Sequence, residues 1–139
     1  MVRTNGLTIG RVARQAGLAI DTVRYYEREG LLEKAPRTKA GYRQYSASAV
    51  ARLRFIRQAK DLGFSLSEIR ELLALRVDAR KTCRDVKSRA LRKIADVERR
   101  IVQLTRMRRA LADLAAQCRG GGPTSSCPIL EALEREERS

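Results

Sequence analysis

Three cysteines, Cys83, Cys118 and Cys127, are the residues of this chain best suited to carry chemistry, and histidine is absent. Cys118 and Cys127 stand nine positions apart at the ends of the polar segment CRGGGPTSSC, and Cys83 lies 35 positions upstream of Cys118. Thiolates are soft ligands, so three at one place suit a thiophilic metal ion. With three thiolates a divalent ion keeps one net negative charge, and the neighbouring Arg84 and Arg119 soften the cost of burying it. Two thiolates would match a monovalent linear ion better, so the thiol at Cys83 argues for a divalent one. The missing histidine counts against a mixed cysteine–histidine zinc site, and an iron–sulfur cluster usually takes four cysteines. A Cys118–Cys127 disulfide would need an oxidising compartment. The opening MVRTNGLTIGRVARQAG has no apolar signal region, and no apolar run reaches membrane-spanning length. A cytoplasmic protein with reduced thiols and no membrane partner is expected.

Bringing the thiols together is a task for the elements between them. From about residue 82 to residue 118 there is neither Gly nor Pro, and apolar residues recur at Val86, Ala90, Ile94, Val97, Ile101, Leu104, Met107, Leu111 and Leu114. Steps of three and four along a helix make a heptad-like seam, with one stammer near Leu104. Such a stripe needs a cover, and self-association as a two-stranded coiled coil is expected. Continued in both directions, the seam takes in Cys83 and Cys118, but about 50 Å apart at ~1.5 Å per residue. One chain cannot join them. In an antiparallel pair crossing near residue 100, Cys83 of one chain lies beside Cys118 of the other. The loop would return Cys127 over Cys118, and CPILEALE reads as a short closing helix with Pro128 in its first turn and Ile129, Leu130 and Leu133 as a lid.

The remaining chain is basic throughout. Lys and Arg number 30 against 16 Asp and Glu, a formal charge of +14 that makes a polyanion the expected partner. Residues 1–76 carry +8 and residues 77–139 carry +6, but all four tyrosines, in VRYYEREG and AGYRQYS, fall in the first part beside arginines. Thr8 caps a predicted helix with Ile9, Val12, Ala13 and Ala16 on its apolar side and Gly17 at its end. A second helix follows, with Ile20, Val23 and Tyr26 or Glu27 inward, and ends at Gly30. Together they make a helix-turn-helix. Pro36 and Gly41 frame a short β-hairpin. Ser46 caps a helix with Val50, Leu53, Ile56 and Ala59 inward, and Ser65 with Glu68 has the spacing of a capping box. Arg52, Arg54 and Arg57 are expected on a solvated face. Tyr26 and Tyr45 are candidates for the core, and Tyr25 for the binding surface.

These segments resemble the metal-sensing branch of the MerR family of transcription regulators over nearly the whole chain. The resemblance is carried by TIGRVARQAGLAIDTVRYYEREGLL, RTKAGYRQY, FIRQAKDLGFSLSEIRELL and CRGGGPTSSCPILEAL. It implies a mainly α fold: a winged helix-turn-helix domain with connecting helices (1–76), a long antiparallel dimerisation coiled-coil helix (77–118), and a metal loop with a short C-terminal helix (119–139). It places Thr22, Arg24 and Tyr25 in the major groove, Arg37, Tyr42 and Arg43 in the wing, and Lys60 near the end of the third helix as DNA-binding residues. Arg and Lys neutralise phosphates, and Tyr hydroxyls donate to them. The metal ligands implied are Cys118 and Cys127 with Cys83 of the partner chain. The family mode of action is a homodimer, through residues 83–118, on double-stranded promoter DNA beside RNA polymerase. Metal twists the DNA so that the promoter elements align and resistance or efflux genes are activated. The cysteine spacing resembles that of mercury and lead sensors, so Hg(II) or Pb(II) ranks ahead of Cd(II) or Zn(II). A thiol-based oxidant sensor on the same DNA-binding fold is the alternative. No enzyme is expected, because no histidine, Gly-rich phosphate loop or paired carboxylates stand ready.

Overall fold

Thr8 starts the first helix for a local reason: its hydroxyl accepts the Arg11 N–H at 3.3 Å, satisfying a donor that every helix start leaves free. The structure, a computed structural model, describes residues 6–135. In it α1 (Ile9–Ala16) ends at Gly17, whose φ of 72° is left-handed. That φ favours glycine, and a Cβ there would come within 2.5 Å of Arg57 Nη1, so the end of that side chain would have to shift. Three residues later α2 (Ile20–Arg28) begins, and Gly30, with φ 75°, turns the chain beyond its end.

The expected hairpin over residues 31–46 is present only as isolated bridges, Arg37 with Arg43 and Leu7 with Tyr45. Thr38 N–H to Tyr42 O (2.6 Å) and Gln44 N–H to Pro36 O (3.0 Å) hold its arms. Pro36 has no N–H to extend the ladder, and no strand is formed among the described residues. Then come α3 (Ala47–Asp61) and α4 (Leu66–Val77). Ser46 stands at the start of α3 but does not cap it; its hydroxyl pairs with that of Ser48 at 2.6 Å. The Ser65–Glu68 capping box is complete, with bonds of 3.1 and 2.8 Å.

Helices α1, α2 and α3 meet over Val12, Val23, Leu53 and Ile56, all fully buried, and Ile69 brings α4 onto α3. The inward residues of α1 and α3 are those the sequence predicts. On α2 both Tyr26 and Glu27 are buried, whereas Ile20 is 40% exposed, against expectation. Its neighbour on α1 is Gly10, which has no side chain to cover it. Of the arginines of α3, Arg52 and Arg54 are exposed as expected and Arg57 is half-buried, and the two exposed ones also hold carbonyls. Arg54 donates through Nε and Nη2 to Gln15 O (3.3 and 3.2 Å), and Arg52 donates to Leu31 O at 3.3 Å. Carbonyls at and just beyond helix C-termini lack intrahelical partners, and these cations supply them.

Beyond α4, Thr82 N–H donates to the Asp85 carboxylate at 2.8 Å and Thr82 Oγ1 accepts the Arg84 N–H at 3.3 Å, which opens α5 (Cys83–Ala116). This helix stops at Ala116, before Cys118, so the seam does not continue into that cysteine as expected. Gly120–Gly122 lie just ahead and cannot sustain a helix. After a 3-10 turn over Thr124–Ser126, α6 (Pro128–Glu134) has Pro128 in its first turn. The chain divides into two compact units that meet within α5, at Ala90 and Leu91. No described helix is long and apolar enough to cross a membrane.

One buried polar contact crosses the first unit: Tyr45 Oη donates to Glu27 Oε1 at 2.5 Å. Burial first, then this bond and the Glu27 charge, raise the Tyr45 pKa far above its ordinary value of 10.0. A raised folded-state value leaves stability intact below pH 10.0 and erodes it above, where the unfolded phenol ionises and the folded one does not. Tyr45→Phe abolishes that contribution and leaves Glu27 without this donor. It is expected to cost about 1–3 kcal/mol at neutral pH, as measured by urea denaturation from neutral to strongly alkaline buffer.

Candidate nucleic-acid interface and thiol loop

Between α2 and the wing lies a cleft of about 460 Å³. Five cations line it: Arg24, Arg28, Lys34, Arg37 and Arg43. Glu27 also borders it, with its carboxylate held by Tyr45. The wing shapes this wall through its own arginines. Arg37 Nη1 donates to Gly41 O (3.0 Å) and Arg43 Nη1 to Ala35 O (2.7 Å), which leaves their other N–H groups for a ligand. Tyr42 stands at the wing tip, 73% exposed, with its N–H given to Thr38 Oγ1 at 3.2 Å.

On α2, Tyr25 is 39% exposed and its ring lies 5.9 Å from the Arg28 guanidinium carbon. That is cation–π distance, and it orders an exposed arginine beside an exposed phenol. Tyr26, one position on, is buried, and its ring centroid lies 5.7 Å from that of Tyr25. Its pKa is raised, chiefly by burial. Arg24 is held loosely by Asp21 at 3.9 Å, both well exposed.

Of the seven residues expected at DNA, Arg24, Arg37, Tyr42 and Arg43 line the cleft. Tyr25 is exposed on the same helix, Thr22 is half-buried, and Lys60 is exposed in the last turn of α3, outside the cleft. Arg28 and Lys34 belong to the same cationic wall, and sequence reasoning misses both. Arg28 has a usable signal in its place three residues after Tyr25 on one helical face. Lys34 has none, since it sits in a loop whose path only folding sets.

The thiols are all free. Cys83 is exposed at the start of α5, in the first unit. Cys118 and Cys127 are half-buried in the second unit, on either side of a loop with left-handed Gly120 and Gly122. The Gly120 N–H donates to Cys118 Sγ at 3.3 Å, so the loop already curls about one sulfur. Among the described residues no group of three ligands is gathered in a single chain. The stripe of α5 is uncovered in the same chain: Ile101, Leu104 and Leu111 are 56, 60 and 63% exposed. On α6, Leu130 and Leu133 are exposed and Ile129 is half-buried.

Two family models match this chain: MerR HTH family regulatory protein over residues 7–75, and MerR, DNA binding, over residues 50–114. The HTH-type transcriptional regulator ZntR of Escherichia coli (strain K12) is 44% identical over 129 residues, 91% of this chain and 92% of that protein. The regulator PbrR691 from Ralstonia metallidurans CH34, solved in complex with lead(II), superposes with a TM-score of 0.75 at 34% identity, covering 96% of this chain and 99% of that one. MerR from Bacillus megaterium MB1, solved in complex with mercury(II) ion, gives 0.67 at 38% identity, with 93 and 100% covered. With relatives of this identity covering nine-tenths or more of its length, the chain belongs to the MerR family of DNA-binding transcription regulators rather than to any class of enzyme.

Proposed function

We propose that this protein is a metal-responsive regulator that sits on promoter DNA as a homodimer and responds to a divalent thiophilic ion. Hg(II) or Pb(II) is favoured over Cd(II) or Zn(II). The carrying observation is the set of three free thiols on a chain similar end to end to proteins solved with lead(II) and mercury(II). The site is Cys118 and Cys127 of one chain with the partner's Cys83. The uncovered seam of α5 supports the antiparallel pairing this requires.

The donor set fits the ion. When bound, it supplies a soft acceptor of charge two plus for three thiolates. The chain's own residues do the rest. Gly120 and Gly122 let the loop turn where other residues are strained, and the Gly120 N–H directs Cys118 Sγ. Shared ligation across the dimer favours one of two arrangements of the α5 pair. The DNA-binding units are carried with it, so that α2 and the wing distort the promoter and polymerase can engage. Residues 1–76, 77–118 and 119–139 serve DNA binding, dimerisation and metal capture in turn.

At the DNA, Arg24, Arg28, Lys34, Arg37, Tyr42 and Arg43 line the cleft that takes the phosphate backbone, with Thr22 and Tyr25 on the reading helix and Lys60 on a flank. Phosphate recognition is independent of sequence. Arg28→Ala and Lys34→Ala are therefore each expected to weaken binding to a mixed-sequence duplex and to make the salt slope shallower by about 0.9 for each phosphate no longer neutralised. Fluorescence anisotropy over a salt series reads both.

For the metal, the reduced full-length protein titrated with Hg(II), Pb(II), Cd(II), Zn(II) or Cu(I) is expected to develop thiolate–metal charge-transfer absorption. The end point is one divalent ion per set of three thiols. Cys83→Ser should loosen it at least about tenfold, a loss of about 1.4 kcal/mol or more. An unchanged titration in the mutant would sink the shared site. Absence of any metal binding would move the thiol-based oxidant sensor to the front.

A further inference from the structure

Two neighbouring residues of α4 reach two different helices. Arg70 Nη2 donates to Glu29 O at 2.7 Å and pairs with the Glu29 carboxylate at 3.3 Å, immediately after the end of α2. Glu71 pairs with Arg89 Nη1, in the second turn of α5. Helix α4 packs on α3, and these two side-chain bridges reach from it to the end of α2 and to α5.

We propose that Arg70 and Glu71 are positioning residues that make α4 the link between α5 and the DNA-reading helix. The inference rests on the reading of this protein as a regulator that changes state. Successive helical residues point about 100° apart at 3.6 residues per turn, so one small rotation of α4 pulls on both bridges. At the far end Glu29 is coupled directly to the reading surface, because its N–H donates to Tyr25 O at 2.9 Å. Arg28 is its chain neighbour and stacks on the Tyr25 ring. A shift at Glu29 therefore moves Tyr25 and, with it, Arg28, which lines the cleft. At the near end the Arg89 bridge fixes the early turns of the helix that begins with Cys83.

The bridges are well placed for coupling rather than for stability. Arg70 and Glu29 are 47 and 41% exposed, and Arg89 and Glu71 are 32 and 47% exposed. Pairs so accessible to water add little to folding. Breaking one should therefore change how α2 responds to α5 while the fold persists. Coupling is a claim about two sites, so the test has to perturb one end and read the other.

The experiment is amide hydrogen exchange on the reduced full-length protein, reading the residues around Glu29, Gly30 and Leu31, with and without Hg(II) as the added metal. Glu71→Arg and Arg89→Glu each break the near bridge, and the double variant restores it with the charges exchanged. Already without metal, each single variant should alter exchange around Gly30 by roughly two- to fivefold, and the double variant should return it to the wild-type rate. With metal, the change seen at Gly30 in the wild type should be lost in the singles and regained in the double. Exchange at Gly30 that ignores Glu71→Arg in the metal-free protein overturns the link, whatever the metal does. Singles that keep the wild-type metal effect overturn it too. A wild type with no thiolate–metal absorption refutes the metal reading separately, and the metal-free arm still decides the link. If a single variant fails to fold, the double variant and Arg70→Met, which cuts the far bridge, carry the same comparison.

Discussion

Much of the DNA-binding unit depends on one buried hydrogen bond, from the Tyr45 hydroxyl to the Glu27 carboxylate. Glu27 lies on α2, one residue before Arg28, and Tyr45 closes the base of the wing through its bridge to Leu7. A carboxylate taken out of water needs a donor, and here the donor comes from the wing. The same bond therefore sets the distance between the two walls of the cationic cleft. It also ties up the one acidic group that lines the cleft among the described residues.

The surplus of arginine reads at first as a polyanion-binding surface, but a good part of it is structural. Arg52, Arg54 and Arg70 each donate to a carbonyl at or just beyond a helix end, and Arg37 and Arg43 donate to carbonyls of the wing. A guanidinium has five donors in a fixed fork, so it can hold a carbonyl and still present N–H groups outward. This explains how a domain with two isolated bridges and short helices keeps its loops in place. Charge that would otherwise repel itself is anchored where the helix ends offer partial negative charge.

The second unit is organised by an opposite condition, apolar surface left without a cover. The stripe on α5 has no buried residue in the single chain, and a helix of that kind is stable in water when another helix lies against it. The thiols follow the same logic. Each is free, and the chain that holds Cys118 and Cys127 half-buried in one loop leaves Cys83 exposed at the start of α5. On the proposed reading, dimerisation and metal capture are one requirement met by one partner.

Residue type and spacing account for the helices, most of their inward faces and most of their caps. Gly17, Gly30, the Ser65–Glu68 box and the buried rows Val12–Ala13–Ala16 and Val50–Leu53–Ile56–Ala59 are local consequences of residue type and spacing. The three thiols and the seam were legible for the same reason, because both are periodic or countable along the chain. Which polar groups meet across elements is set by the packed fold. That Arg54 serves Gln15, that Tyr45 rather than water satisfies Glu27, and that Lys34 joins the cleft depend on positions far apart in sequence. Ile20 stays exposed because its neighbour on another helix is a glycine. Helix α5 ends before Cys118, where a periodic stripe alone gave no stop. Local rules set most inward faces; long-range polar partners are chosen only once those faces have packed.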